Sequence, residues 1–252
     1  MAASFGDKTV NPDSSVGYSG IEEHSGPVHS FLEHTSLLIF PLVFAFNLHW
    51  GSSRLYELGL LWLIALAIPL GVVGGDFVSG IVHWAADTYG SEETPLIGPS
   101  LVKPFRLHHI YPRDICTHGL VELTGNVCIL AVPVLTGSLY LLWLLPQSGW
   151  LAFSAICLAL VAAATVATNQ FHKWAHQESP SSLARWLQRK RLVLEPNHHQ
   201  LHHTRPFDSH YCITNGWLNP LLNKLKFFRR LEATLRFFGI KTATDHERKV
   251  DG

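Results

Sequence analysis

The chain has 252 residues, with 19 Lys and Arg against 19 Asp and Glu; 15% of its residues are charged and 47% are hydrophobic. That neutral, apolar balance excludes a disordered chain and a nucleic-acid-binding protein. Cys116, Cys128, Cys157 and Cys212 are too scattered for a disulfide framework or a thiolate zinc site, whereas the 16 histidines are both abundant and clustered.

In chain order, residues 1–33, rich in Gly, Ser and Asp, read as a disordered lead without a signal or transit peptide. Uncharged intervals then cover residues 34–53, 58–75 and 123–172, which are 20, 18 and 50 residues long. Twenty helical residues rise about 30 Å, the thickness of one hydrocarbon core. The longest interval holds two passes, with Pro146-Gln-Ser-Gly149 as the turn. The pattern predicts an all-α integral membrane protein with about four transmembrane helices, near 34–53, 58–82, 123–145 and 150–171. A cytosolic histidine-rich helical cap over 83–121 and 172–240 completes a membrane domain of 34–240, and 241–252 forms a tail. Pro41, Pro69 and Pro133 fall inside spans, where neighbouring helices re-satisfy freed carbonyls. Four spans put both termini, the 76–121 loop and the tail after Lys173 on one side. Of the 19 Lys and Arg, Arg54 alone falls on the other side, which orients the histidine clusters to the cytosol. A soluble bundle with buried core helices is the competing reading.

Asp76, His83 and Asp87 follow one another at 0, +7 and +11, one face of a helix. Ionisable groups near membrane depth belong at a polar cavity or a metal rather than in lipid. Next come the adjacent His108 and His109, then His118 and Glu122 at i, i+4 spacing. His172 and His176 form another i, i+4 pair, able to present two imidazoles to one ion. His198, His199, His202 and His203 follow within six residues; on a helix His198 faces His202 and His199 faces His203. Neutral imidazole suits Fe, Zn, Cu and Ni. Eight or more clustered histidines exceed what one zinc with three protein ligands uses, so the count favours two metals. Two irons would suit activation of O2 against an unreactive C–H bond; zinc would imply hydrolysis. With no nucleophile motif, Rossmann glycines or P-loop, electrons have to come from a partner. From Trp217 to Phe238, Leu218, Leu221, Leu222, Leu225, Phe228, Leu231 and Leu235 form an apolar stripe beside cations. That pattern fits a helix lying in the headgroup plane, or a core helix of the cap.

The segments GDFVSGIVHWAADTYG, FRLHHIYP, NQFHKWAH, HHQLHH and YCITNGWLN, in that order and set between membrane spans, resemble the Kua family of membrane lipid desaturases. The resemblance covers roughly Asp76 to Phe238. It implies an endoplasmic-reticulum enzyme with a histidine-rich site for two Fe ions, O2 as cosubstrate, and electrons from cytochrome b5 and its reductase. The animal members are plasmanylethanolamine desaturases, so the implied reaction converts a 1-O-alkyl ether phospholipid of the bilayer into the 1-O-alk-1-enyl form, a plasmalogen. Carried onto this chain, the family's ligand pattern falls on His83, His108, His109, His172, His176, His199, His202 and His203. His198 and His118 are secondary candidates, and Gly119 departs from the acidic residue expected there. The resemblance implies no catalytic residue beyond these ligands and no organic cofactor. Asp76, Asp87 and Glu122 are candidates to fix imidazole tautomers. Alternatives are an acyl-lipid desaturase or hydroxylase on another phospholipid, a zinc-dependent membrane hydrolase, or a non-catalytic metal-storing scaffold. The spread of histidines over four separate segments speaks against the last.

Overall fold

Long runs of Leu, Val, Ala and Phe without charge form helices because a helix pairs its own backbone groups, as hydrocarbon requires. The structure, a computed structural model, describes residues 26–94 and 98–243. In chain order its helices are α1 (Pro27–Glu57), α2 (Leu63–Thr88), α3 (Lys103–His108), α4 (Leu120–Leu144), α5 (Gly149–His176), α6 (Ser182–Arg189), α7 (Pro196–Gln200), α8 (Asn219–Lys224) and α9 (Phe227–Phe237). No strand occurs among the described residues. Helices α1, α2, α4 and α5 are each long and apolar enough to cross a membrane, which makes this an all-α, multi-pass membrane protein. Their outer faces expose Phe31, Leu38, Leu42, Ile68, Leu130 and Trp143, as lipid-facing helices do.

Helix ends depart from the expected spans for local reasons. The first 25 residues of the expected lead lie outside the described ones, but 26–33 are not a lead: α1 starts at Pro27. Proline's missing N–H costs nothing at a first helical position. Glu33, which ends the uncharged interval in the sequence, is buried against Gly125 of α4, with its Oε1 3.5 Å from His29 Nε2. The second span begins at Leu63 rather than 58 because Gly59 turns the chain at φ +70°. Of the expected tail, 244–252 lie outside the described residues.

Small residues bring α2 onto α5. A Cβ on Gly71 would lie 2.3 Å from Leu160 Cβ, and one on Gly75 2.4 Å from Ala164 Cβ. This spacing of small residues one turn apart lets helix backbones approach in lipid, where no hydrophobic force drives them together. Asn47 Nδ2 of α1 donates to the Leu135 carbonyl of α4 at 3.0 Å, a buried polar tie between those two helices.

The expected amphipathic helix from Trp217 to Phe238 is two helices. Lys226, at φ +50°, breaks it between α8 and α9. Its apolar stripe divides accordingly: Leu222 and Phe228 are buried with Trp84, Tyr211 and Cys212, while Leu221 and Leu225 stay exposed. Trp84 Nε1 donates to Glu232 at 3.1 Å and ties α9 to the end of α2.

If α2–α5 contact depends on missing side chains, Gly75→Ala destabilises the detergent-purified protein by about 1–3 kcal/mol, the usual cost of overpacking. Gly137→Ala, where an added Cβ meets nothing within 4 Å, should leave the melting temperature level or raise it.

Candidate metal centre

Helix α2 has 26 residues, about 39 Å at the α-helical rise, whereas a hydrocarbon core is about 30 Å thick. Its last turns therefore run past the apolar zone, and they carry His83 and Asp87; the last turns of α5 carry His172 and His176. Helix α3 ends at His108, and His109 follows it. Helix α7, capped by the Glu195 carboxylate accepting from the N–H groups of Asn197 and His198, delivers His199 and the turn with His202 and His203. All eight histidines expected as ligands meet here, in two groups.

In the first group, ligand atoms of His108, His172, His176, His199 and His203 all lie within 4.8 Å of one another. His199 Nε2 is 2.9 Å from both His172 Nε2 and His176 Nε2 and 3.0 Å from His203 Nε2. One ring nitrogen is either a single donor or a single acceptor, so it cannot hydrogen-bond to all three. A single cation would satisfy such convergent lone pairs. Metal–imidazole bonds of about 2.1 Å place adjacent ligand atoms about 3.0 Å apart in an octahedron and about 3.4 Å apart in a tetrahedron. The 2.9–3.2 Å separations join four imidazoles, His172, His176, His199 and His203; with His108 as a fifth within 4.8 Å, the set exceeds the ligand number of tetrahedral zinc.

The second group is His83, Asp87, His109 and His202. Asp87 Oδ2 stands 3.4, 3.2 and 3.6 Å from the Nε2 atoms of His83, His109 and His202. These three nitrogens and both Asp87 oxygens are buried without a hydrogen-bond partner. His83 Nδ1 donates to the Tyr211 carbonyl at 3.1 Å and His202 Nδ1 to the Ser209 carbonyl at 2.8 Å. Each bond fixes the tautomer that turns an Nε2 lone pair inward. Three nitrogens and one carboxylate oxygen form a donor set suited to iron. The two groups adjoin, with ring centroids 5.6 Å apart for His202 and His203 and 6.2 Å for His83 and His172.

Burial keeps His108, His199, His202 and His203 neutral. It holds His108 and His199 well below the ordinary histidine range, with neighbouring imidazoles adding to the effect. Burial likewise lowers His202 and His203 to about 3. Neutral imidazole is the form that binds metal.

The remaining candidates lie elsewhere. His118 Nε2 pairs with Asp114 Oδ2 at 3.5 Å, and His198 Nε2 accepts from Asn219 Nδ2 at 3.0 Å, so neither enters a group. Of the three carboxylates expected to fix tautomers, Glu122 and Asp76 bond to no imidazole. Glu122 accepts from the Gly119 N–H at 2.6 Å and caps α4, and Asp76 accepts the backbone N–H groups of Asn215, Gly216 and Leu218. Asp87 stands among the ligand atoms themselves, four residues after His83; the i, i+4 rule that paired His172 with His176 would have found it. The carbonyls of Tyr211 and Ser209 carry no side-chain signal. An apolar cavity of about 570 Å³ between α4 and α5 reaches no nearer along α5 than Leu158, about 21 Å before His172, and does not serve either group.

A family profile described as a lipid desaturase domain matches residues 72–245, the stretch that contributes every member of both groups. The chain belongs to this lipid desaturase family. Among its relatives, a plasmanylethanolamine desaturase of Myxococcus xanthus is 46% identical over 173 residues, covering 68% of this chain and 60% of that protein. Plasmanylethanolamine desaturase 1 of Mus musculus is 37% identical over 179 residues, covering 68% and 64%. A chloroplastic fatty acid desaturase 4-like protein of Arabidopsis thaliana is 32% identical over 202 residues, covering 76% and 63%. The matches thus span less than two thirds of these relatives' own length. No solved structure matches this lipid desaturase family member.

An unfolded chain takes up protons on histidine near pH 6.5, whereas His202 and His203 resist until about 3. The unfolded state binds more protons in that window, so stability of the metal-free protein is level above about pH 6.5 and falls as pH drops toward 3. Thermal melts of chelator-treated protein between pH 7.5 and 5 should show the fall, and His203→Gln should make it shallower.

Proposed function

We propose that this protein is an O2-dependent lipid desaturase that introduces the vinyl-ether double bond of plasmalogens into 1-O-alkyl ether phospholipids, plasmanylethanolamine among them. The observation that carries the reading is the convergence of eight histidines and Asp87 in two adjoining buried groups at one end of four apolar helices. Relatives named plasmanylethanolamine desaturase, at 46% and 37% identity, support the ether-lipid substrate. His108, His172, His176, His199 and His203 would hold one iron, and His83, Asp87, His109 and His202 the other. The bound pair would supply oxidation by O2: two hydrogens leave adjacent carbons of the alkyl chain, and with two electrons and two protons the O2 becomes two waters. Cytochrome b5 and its reductase are the proposed electron source. The family resemblance suggests the endoplasmic-reticulum membrane, and Arg54 as the sole Lys or Arg on the opposite side of the four spans favours histidines and termini on the cytosolic side.

The chain's own residues set the conditions. Burial keeps His108, His199, His202 and His203 uncharged. Tyr211 and Ser209 carbonyls orient two of the rings. In this reading the exposed apolar helix faces would meet the alkyl chain in lipid, and cations on the cytosolic face the phosphate. The domain limits, 34–240 for the membrane domain, are extended at the start to Pro27 to include all of α1.

Plasma mass spectrometry on detergent-purified protein should give close to two irons per chain. Alkyl-ether lipid plus O2 and a reductant should yield vinyl ether, and His83→Ala, His172→Ala and His203→Ala should each lower turnover at least a hundredfold while the protein still inserts. Zinc without iron would overturn the oxygen-activating reading; activity on acyl chains alone would move the substrate to another phospholipid.

A further inference from the structure

Asp76 is fully buried on α2, two turns before His83, yet it touches no ligand of either group. Its Oδ1 accepts the N–H groups of Asn215 at 3.0 Å and Gly216 at 2.9 Å, and its Oδ2 that of Leu218 at 3.1 Å. Three charge-assisted bonds satisfy a carboxylate that burial would otherwise disfavour. Gly216, at φ +76°, lets the turn aim its amides at that carboxylate.

Two further contacts lay the same segment along α2. Ser79 Oγ accepts the Ile213 N–H at 3.0 Å, and Thr214 Oγ1 donates to the Gly75 carbonyl at 3.3 Å. Gly80 allows the close approach: a Cβ there would lie 2.5 Å from Cys212 Sγ. Asn219 closes the loop by accepting from the Cys212 N–H and donating to its carbonyl, both at 2.9 Å. Residues 212–219 thus lie along one face of α2, with Thr168 of α5 and the Leu194 N–H holding Thr214 from the other side. Immediately before them stand the Tyr211 and Ser209 carbonyls that hold His83 and His202. Thr214 Oγ1 also lies 2.6 Å from Thr168 Oγ1 of α5, and Ile213 packs on Ala175, but among the described residues no hydrogen bond joins 209–219 to a side chain of the five-histidine group.

We propose that Asp76 is a positioning residue for the group of His83, Asp87, His109 and His202, acting through the strap of residues 209–219 to set the two carbonyls that orient His83 and His202. The proposal rests on the two-iron reading above. Without the anchor the strap slides along α2, both carbonyls leave their Nδ1 donors, and the rings are free to take the tautomer that protonates Nε2. Loss is then confined to one group.

The test measures iron per chain and the Mössbauer spectrum of full-length wild type, Asp76→Asn, Gly80→Ala, Asp87→Ala and His172→Ala. Wild type should hold two irons. Asp76→Asn should hold one, with the spectrum of Asp87→Ala rather than that of His172→Ala, and combining Asp76→Asn with Asp87→Ala should remove no more. Gly80→Ala, which displaces the strap at Cys212 and leaves the carboxylate intact, should show the same selective loss and decides the matter if Asp76→Asn cannot be purified. Retention of both irons in Asp76→Asn and Gly80→Ala would overturn the role of Asp76 while leaving the two-iron reading intact. Joint loss of both irons would reduce Asp76 to general structural support. A wild type without two irons would remove the two-iron reading and this proposal together.

Discussion

Buried imidazole lone pairs, kept neutral and pointed at one another, are the constraint on which the rest of the structure depends. Six imidazole nitrogens of the two groups and both Asp87 oxygens are buried without a hydrogen-bond partner. At roughly 1–3 kcal/mol for each unsatisfied polar atom, the cost is comparable to the roughly 5–15 kcal/mol by which whole domains are stable. A fold that tolerates this needs either a scaffold that cannot relax or a cation that binds. The two are linked: metal that binds only the assembled site adds its binding energy to folding.

The membrane supplies the stiff scaffold. In lipid the helices cannot fray, and α2 meets α5 through Gly71 and Gly75 at a distance no side chain would allow. Those two helices then overrun the hydrocarbon and carry ligands on their last turns, so His83 and Asp87 are fixed relative to His172 and His176 by packing that lies well below them. The cap's own core, Tyr211, Cys212, Leu222 and Phe228, packs on Trp84 at the end of α2. The cap borrows its order from α2, through Asp76 and Ser79 to the strap and through Trp84 to α9.

Much of this was legible in the sequence, for reasons that also explain the gaps. Charge-free intervals located four spans because hydrocarbon punishes charge, but they misplaced the helix ends, because Glu33 finds shelter against Gly125 and Gly59 turns the chain early. His172 and His176 were readable because both sit inside one long regular helix. His198 was not, because α7 stops at Gln200: a continuous helix would pair His198 with His202, whereas the observed turn sends His202 to the Asp87 group and leaves His198 on Asn219. Tyr211 and Ser209 act through carbonyls, which every residue has, so no sequence pattern could single them out. Asp76 looked like a partner for an imidazole because it shares a helical face with His83; its actual partners are 139–142 residues away in the chain.

Adjacent histidines carry a meaning that a count of ligands hides. Successive side chains on a helical turn diverge by about 100°, so a His-His pair cannot serve one ion easily but can straddle two. His108 and His109 do this, and so do His202 and His203, each pair giving one ring to each group. The long helices do the opposite: α5 feeds only the five-histidine group and α2 only the group with Asp87. Two straddling pairs thus lock together two unequal sites, one made wholly of nitrogen and one with a carboxylate, and only the second has rings oriented by the strap. The inequality follows from the connectivity of the chain.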